Sequence, residues 1–281
     1  GTWANKDAIK CYFKLGKLGI FSTMNKANEK QFSNPKMVQL FNRYATYNGS
    51  NPYETPATLN IIPHLEFNFG AFFPTKGMHD ITLSLYKLAV NLGVKFHFDS
   101  KVEEVIVRDK KAIGVIVSGN SHFADVIINN MDMVNAYKTI LKKEKQPNRM
   151  LDQPKSSSAL IFYWGIKKVF PELDLHNILF SENYKEEFDH IFNKKSIYQD
   201  PTVYINITSV NKPDDAPEGC MNWFTMINVP NNQGQDWDRL IQEARKSIIQ
   251  KVNRILKTDI EQLIEVEEIL EPRTIESKTS S

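Results

Sequence analysis

The sequence predicts an α+β chain with three successive parts: a helical cap, a helix-and-sheet segment, and a mostly antiparallel sheet with helices. Three observations predict it. Residues 34–74 are aromatic and punctuated by proline and glycine, from Asn34-Pro35 through Gly49-Ser50-Asn51-Pro52-Tyr53 to Phe73-Pro74. From Met78 to Leu92 an apolar, helix-like run is closed by Gly93 and followed by short alternating runs. Beyond a polar linker with two prolines, Pro147 to Pro154, several mostly apolar runs of strand length recur. The expected parts are residues 1–75 (cap), 76–146 (helix and sheet) and 147–281 (sheet and helices).

The 281 residues are enough to bury a real core as one or two domains. The formal net charge is +2, with no basic arm or acidic tail, so nothing points to nucleic acid as a partner. Cys11 and Cys220 lie far apart without metal-like spacing and read as free buried thiols in a reducing compartment. No run approaches the ~18–20 apolar residues of a membrane span, and no signal peptide is visible. The expected location is the cytoplasm, with any membrane contact peripheral.

In order, Thr2 to Asn28 reads as an amphipathic helix. Ile9, Tyr12, Phe13, Leu15, Leu18 and Phe21 are spaced mostly three or four apart, with Lys6, Lys10, Lys14 and Lys17 on a complementary face. That face is a solvated stripe or a surface for anionic lipid. Asp7 and Lys10, three residues apart, share a helix face and pattern as an ion pair. Asn34 to Tyr47 is a second helix with Pro35 in its first turn. Gly49 to Pro56 is a loop. Leu59 to Phe73 is helical or irregular, and its Phe67, Phe69, Phe72 and Phe73 are core or the lining of an apolar channel. Met78 to Leu92 is a helix with Gly93 as its C-terminal stop.

Lys95 to Phe98, Val102 to Val107 and Ala112 to Val117 are expected strands, with Asp109-Lys110-Lys111 as the turn between the last two. Phe123 to Asn129 is an expected buried strand. After the linker, strands are expected at Ser157 to Ile166, Ile178 to Ser181, Thr202 to Ser209, Asn222 to Val229 and Ile260 to Ile269. Helices are expected at Glu182 to Phe192 and Gln235 to Lys257, and the polar tail Ser277 to Ser281 is expected to fray.

Several short motifs, in order along the chain, carry a family resemblance. They are Gly49-x-Asn51-Pro52, Glu66-x-x-x-Gly70, Phe73-Pro74-x-x-Gly77, Gly93-Val94 and Lys101-Val102-x-x-Val105. Asn130-Met131-Asp132, Tyr163-Trp164-Gly165-Ile166, His176-Asn177-Ile178 and Ala216-Pro217-Glu218-Gly219-Cys220 continue it. The chain resembles the carotenoid desaturases of the phytoene desaturase type, in the flavin-dependent amine oxidase superfamily. Lys76 stands where that family has the first of two adjacent glycines.

The resemblance implies an FAD-dependent oxidoreductase that removes hydrogen across a carbon–carbon single bond of a carotenoid, with the hydride passing to flavin. It implies a substrate domain around part of an α/β two-dinucleotide-binding domain, and peripheral association with a membrane that supplies the carotenoid. It places Val102 at the adenine through its backbone, with Asn130, Met131 and Asp132 nearby. It also makes Asp7 and Lys10 candidate acid–base groups. A flavin domain of this kind opens with a Gly-x-Gly-x-x-Gly turn into a helix that cradles the pyrophosphate. No such motif occurs in these residues, so the expected reading is an internal piece of a larger enzyme. The six histidines show no paired metal spacing, and no metal site is expected. Related flavoprotein amine oxidases, retinol saturase-type enzymes and a non-catalytic carotenoid- or lipid-binding module are the competing readings.

Overall fold

The chain divides at Gly77 and again at Ser156. The computed structural model describes Gly19 and residues 21–279. One unit joins the described residues up to Gly77 with Ser156–Pro272; the other joins Met78–Lys155 with the residues after Pro272.

Helix α1 (Met24–Gln31) starts at Thr23, whose extended backbone (φ −78°, ψ 157°) and side chain cap the first turn. The expected helix from Thr2 to Asn28 is therefore corrected. An N-cap oxygen serves the free amides of a first turn, so α1 begins at Met24 and runs past Asn28; residues 1–18 lie outside the described residues. Asn34 caps α2 (Pro35–Asn42), with Pro35 in the first turn. A 3₁₀ stretch, Arg43–Asn48, carries this helix on to Gly49, which ends it at φ +61°. Helix α3 (Ile61–Phe69) follows and stops at Gly70. These helices are joined by asparagines. Asn28 donates to Asn42 (2.9 Å), Asn42 to Asn25 (2.7 Å) and Asn60 to Asn28 (3.0 Å).

In the second unit, α4 (His79–Asn91) ends at Leu92, and Gly93 takes φ +86°. Strands β1 (Val102–Arg108), β2 (Lys111–Val117) and β3 (Asn120–Phe123) form an antiparallel sheet in that order. The β1–β2 turn puts two non-glycine residues, Asp109 (φ 50°) and Lys110 (φ 63°), in the left-handed region. Such a two-residue turn matches the twist of the strands it joins. Gly114 is required where β2 meets β3, since a Cβ there would fall 2.5 Å from the His122 carbonyl oxygen. Asp132 caps α5 (Met133–Thr139), accepting from the Asn135 amide at 2.9 Å. Val105, Ala136 and Ile140 form the small core. The linker contains one helical turn, α6 (Asn148–Leu151).

Two expected strands are absent. Lys95 to Phe98 pairs with nothing among the described residues, and Phe123 to Asn129 is exposed apart from Ile127, which packs on the small core, with only Phe123 in a strand. Both alternate or cluster apolar residues, but a strand exists only where a neighbour takes its backbone groups.

The remainder of the first unit is a five-stranded antiparallel sheet in the order β5-β6-β7-β4-β8. Its elements are β4 (Ser158–Ile166), β5 (His176–Leu179), α7 (Tyr184–Asp189), β6 (Val203–Asn206), β7 (Met221–Val229), α8 (Trp237–Leu256) and β8 (Ile264–Leu270). Helix α9 (Pro272–Thr279) follows where a frayed tail is expected, with residues 280 and 281 outside the described residues. In β7 burial alternates residue by residue, as period 2 requires of a sheet covered on one face. Leu160, Phe162, Trp164 and Ile166 of β4 and Trp223 and Ile227 of β7 share a core with Trp237, Leu240, Ala244, Ile248 and Val252 of α8.

Polar ties reinforce that layer. Trp164 Nε1 donates to Glu267 Oε2 (2.6 Å), which also accepts from Arg245 Nε of α8 (2.9 Å). The buried Lys251 of α8 donates to the carbonyls of Phe180 (3.1 Å) and Pro201 (2.5 Å) and pairs with Asp200 at 2.7 Å. Glu187, also buried, accepts from Ser181 Oγ (2.7 Å), Thr202 Oγ1 (2.7 Å) and the Thr202 amide (2.8 Å). Its carboxyl is held above the ordinary value of 4.5, because burial penalises the charge more than these bonds relieve it.

Candidate functional site: an aromatic path with polar nodes

The sheet has a second face, which α8 does not cover. Strand period places Tyr163 of β4, Phe224 of β7 and Tyr204 of β6 there, in register as Tyr163↔Phe224 and Tyr204↔Met226. The Tyr163 and Phe224 rings meet edge to face at 5.5 Å, and Phe224 meets Tyr204 at 6.2 Å. Tyr204 stacks on His176 of β5, with its hydroxyl 2.8 Å from Nδ1.

The helical cap is fastened to this same face. Arg43 is buried and donates through Nη1 to Asn228 Oδ1 of β7 (2.8 Å) and to Thr46 Oγ1 (2.6 Å). Gln39 of α2 donates to the Ser181 carbonyl at 2.8 Å. These bonds bring a second series of rings to the sheet. Phe32 stacks on Phe41 (4.6 Å), Phe41 meets Phe67 and Tyr44 (6.2 Å each), and Tyr44 stacks on Tyr47 (5.6 Å). Tyr47 is near enough to Tyr204 to raise its phenol slightly. The rings form a path in two stretches, one over the sheet from Tyr163 to His176 and one in the cap from Tyr47 to Phe32. At the cap end it opens on a cleft of about 890 Å³ lined by Asn28, Phe32, Phe41, Ala57, Pro63 and Phe67, among others.

One carboxylate stands on the path. Glu66 of α3 accepts from the Tyr44 hydroxyl at 2.9 Å and, more weakly, from the Tyr47 hydroxyl at 3.5 Å. The Tyr44 and Tyr47 phenols are both raised above their ordinary value of 10.0, first by burial and then by Glu66. The Tyr204 phenol is raised by burial first and by Tyr47 second. All three stay protonated near neutrality, and Tyr44 and Tyr47 donate to Glu66. A groove of aromatic faces with a few fixed polar groups suits a long, flat, apolar molecule.

The residues singled out in the sequence are distributed differently. Asp7 and Lys10 lie outside the described residues. Val102 opens β1, and Asn130, Met131 and Asp132 lead into α5, all in the second unit. The Asp132 carboxylate is already engaged as a helix cap. Met131 packs on the small core, and its amide donates to Asn129 Oδ1 at 3.0 Å. Of the expected phenylalanine channel, Phe67 meets Phe41, but Phe67, Phe69 and Phe72 are all exposed and Phe73 is half-buried, so the four do not form a buried channel. Tyr163 and His176 belong to quoted motifs and do reach the path; Tyr44 and Tyr47 lie within the aromatic stretch of residues 34–74. Sequence reasoning passed over Arg43, Tyr204 and Phe224, whose roles depend on strand register. Cys220 is a free thiol and is only partly buried. Among the described residues no group of three or more His, Cys, Asp or Glu is arranged for a metal. No helix among them is long and apolar enough to cross a membrane.

A 1-hydroxycarotenoid 3,4-desaturase of Flavobacterium sp. (strain P99-3) is 52% identical over 280 residues, covering 100% of this chain and 57% of that protein. The chain is a relative of the carotenoid desaturases. The phytoene desaturase of Phycomyces blakesleeanus is 31% identical over 94% of the chain and 47% of its own length. A 4,4'-diapolycopene oxygenase of Methylomonas sp is 29% identical over 99% of the chain and 57% of its own length. The chain thus spans about half the length of these carotenoid-desaturase relatives. An oxidoreductase from Methanosarcina mazei shares the fold, with a TM-score of 0.60 at 15% identity, covering 95% of this chain and 60% of that one. No protein-family model matches the chain.

Proposed function

We propose that the chain acts in FAD-dependent desaturation of a carotenoid polyene, in carotenoid biosynthesis. The observation that carries this reading is the 52% identity to a carotenoid desaturase along 100% of the chain. The aromatic path is its physical counterpart, since stacked and edge-on rings offer flat faces to a conjugated chain. Bound flavin supplies the acceptor for the departing hydride. In the second unit, β1 is the outer strand of its sheet, and Val102 at its start is the residue this reading sets against an adenine edge through its backbone. Asn130, exposed, stands at the turn before α5 and is the polar group offered beside it. These residues fit the adenine end of FAD only. The apolar, uncovered surface of α4 is consistent with a lobe of a flavin domain.

In this reading Asp7 and Lys10 handle a proton during turnover. Asp7→Asn in the holoenzyme is then expected to cut turnover with flavin content intact; unaltered turnover would leave them a surface ion pair. The protein draws its water-insoluble substrate from a bilayer, docking through Lys6, Lys10, Lys14 and Lys17. Binding to anionic vesicles is expected to weaken with salt and with Lys→Gln changes at those four positions. The deciding experiment expresses the gene in a carotenoid-accumulating host and separates the pigments by chromatography. A product with a lengthened chromophore and two hydrogens fewer is expected. A flavin-loaded, soluble protein that leaves every polyene unchanged would overturn the reading.

A further inference from the structure

We infer that Arg43 is a positioning residue: by tying the cap to β7 it holds Tyr47 and Tyr204 a fixed distance apart, and so decides which bond of a polyene lying between them is desaturated. The inference rests on the desaturase reading above and deepens it. Tyr47 belongs to the cap stretch of rings and Tyr204 to the sheet stretch. Burial raises the Tyr204 phenol first and Tyr47 second, yet no ring contact joins the two stretches among the described residues. Rings that are near without touching leave room for a flat chain, and the Tyr47 ring is 67% exposed.

Arg43 spans that gap. It opens the 3₁₀ stretch that carries Tyr47, and its Nη1 donates at 2.8 Å to Asn228 Oδ1 of β7, 185 residues away. Asn228 lies two residues along β7 from Met226, the register partner of Tyr204. One bond therefore sets the backbone that carries Tyr47 against the strand that neighbours Tyr204. The other acceptor, Thr46 Oγ1 at 2.6 Å, stays inside the cap. Both acceptors are neutral although Arg43 is buried, and a buried charge held by neutral acceptors is not what stability alone retains. The guanidinium also opposes the burial-driven rise of the Tyr47, Tyr184 and Tyr204 phenols, so it stands among groups of the cap, α7 and β6. What the tie controls is register. Flat ring faces alone let a polyene slide along them, whereas a misplacement of about 1 Å at the reacting carbon is costly. A planar guanidinium fixes direction as well as distance, which an ammonium does not.

The test gives the holoenzyme an acyclic carotenoid with inequivalent saturated bonds at the two ends of its conjugated stretch and separates the products by chromatography. Wild type is expected to favour one bond. Arg43→Lys, which keeps the charge, and Asn228→Ala, which removes the acceptor, should each raise the ratio of minor to major product about tenfold. Leu240→Ala, in the core on the other face of the sheet, should lower the melting temperature without moving that ratio. An unaltered ratio in the first two variants, the same shift in Leu240→Ala, or no preference in wild type would overturn the inference. If wild type converts nothing, the desaturase reading fails separately. The induced circular dichroism of the bound carotenoid then decides: it should weaken in Arg43→Lys and Asn228→Ala and persist in Leu240→Ala, and any other pattern refutes the role of Arg43.

Discussion

Helices α8 and α4 are both rich in apolar residues, yet their surroundings are opposite. In α8, Trp237, Leu240, Ala244, Ile248, Ile249 and Val252 are buried against the sheet. In α4 no residue is buried, and Leu85 and Leu88 are 62% and 55% exposed. The difference begins in the sequence. Helix α8 confines its apolar residues to one stripe, which matches one sheet face. Helix α4 is apolar around most of its circumference, and its own unit offers only a three-stranded sheet and a three-residue core. A hydrophobic pattern specifies that a surface will be covered, and the surrounding elements decide whether it is.

The sharpest way to break this comparison is to truncate one side chain in each region. Trp223→Ala, at the centre of the sheet core, is expected to cost about 4 kcal/mol in urea unfolding, whereas Leu88→Ala stays within about 0.5 kcal/mol. Equal losses would mean that α4 is packed as tightly as α8. Next in size, Lys251→Ala strips an ion partner from Asp200 and the donor from two carbonyls. Its expected cost is about 3 kcal/mol, and a variant as stable as wild type would show that water replaces the ammonium freely.

The smallest effect concerns pH. The Glu187 carboxyl is raised above 4.5 in the folded chain, so the native state keeps a proton that the unfolded chain has shed. Its contribution is complete below pH 4.5 and is lost as pH rises through the raised folded value. Stability measured across that window should fall less steeply with pH in Glu187→Gln than in wild type. Identical slopes would show that Glu187 ionises normally despite its burial.

Much of this was legible in the chain itself. The Asn34-Pro35 start, the Gly93 stop and the mostly apolar run from Ser157 to Ile166 each act locally, so local reading recovers them. The α+β class follows from such elements. The misses depend on distant partners. Lys95 to Phe98 alternates well but has no neighbour among the described residues to complete a ladder. Lys251, in the middle of an amphipathic helix, reads as a solvent-facing cation until Phe180 and Pro201 turn their carbonyls toward it. Likewise, Glu66 stands out as a motif residue, but only the fold shows that two tyrosines share it.

The buried ammonium of Lys251 also bears on the order in which the fold assembles. Its acceptors lie 71 and 50 residues away in sequence, and an ammonium gives up its water only when a full set of oxygens is ready. The stretch ending at Phe180 and the one around Pro201 must therefore be in place before the lysine enters. That makes it a closing step on the native side of the folding barrier, where a contact governs how fast the structure comes apart more than how fast it forms. One side chain of α8 thus acts as a latch on the lifetime of the sheet it covers.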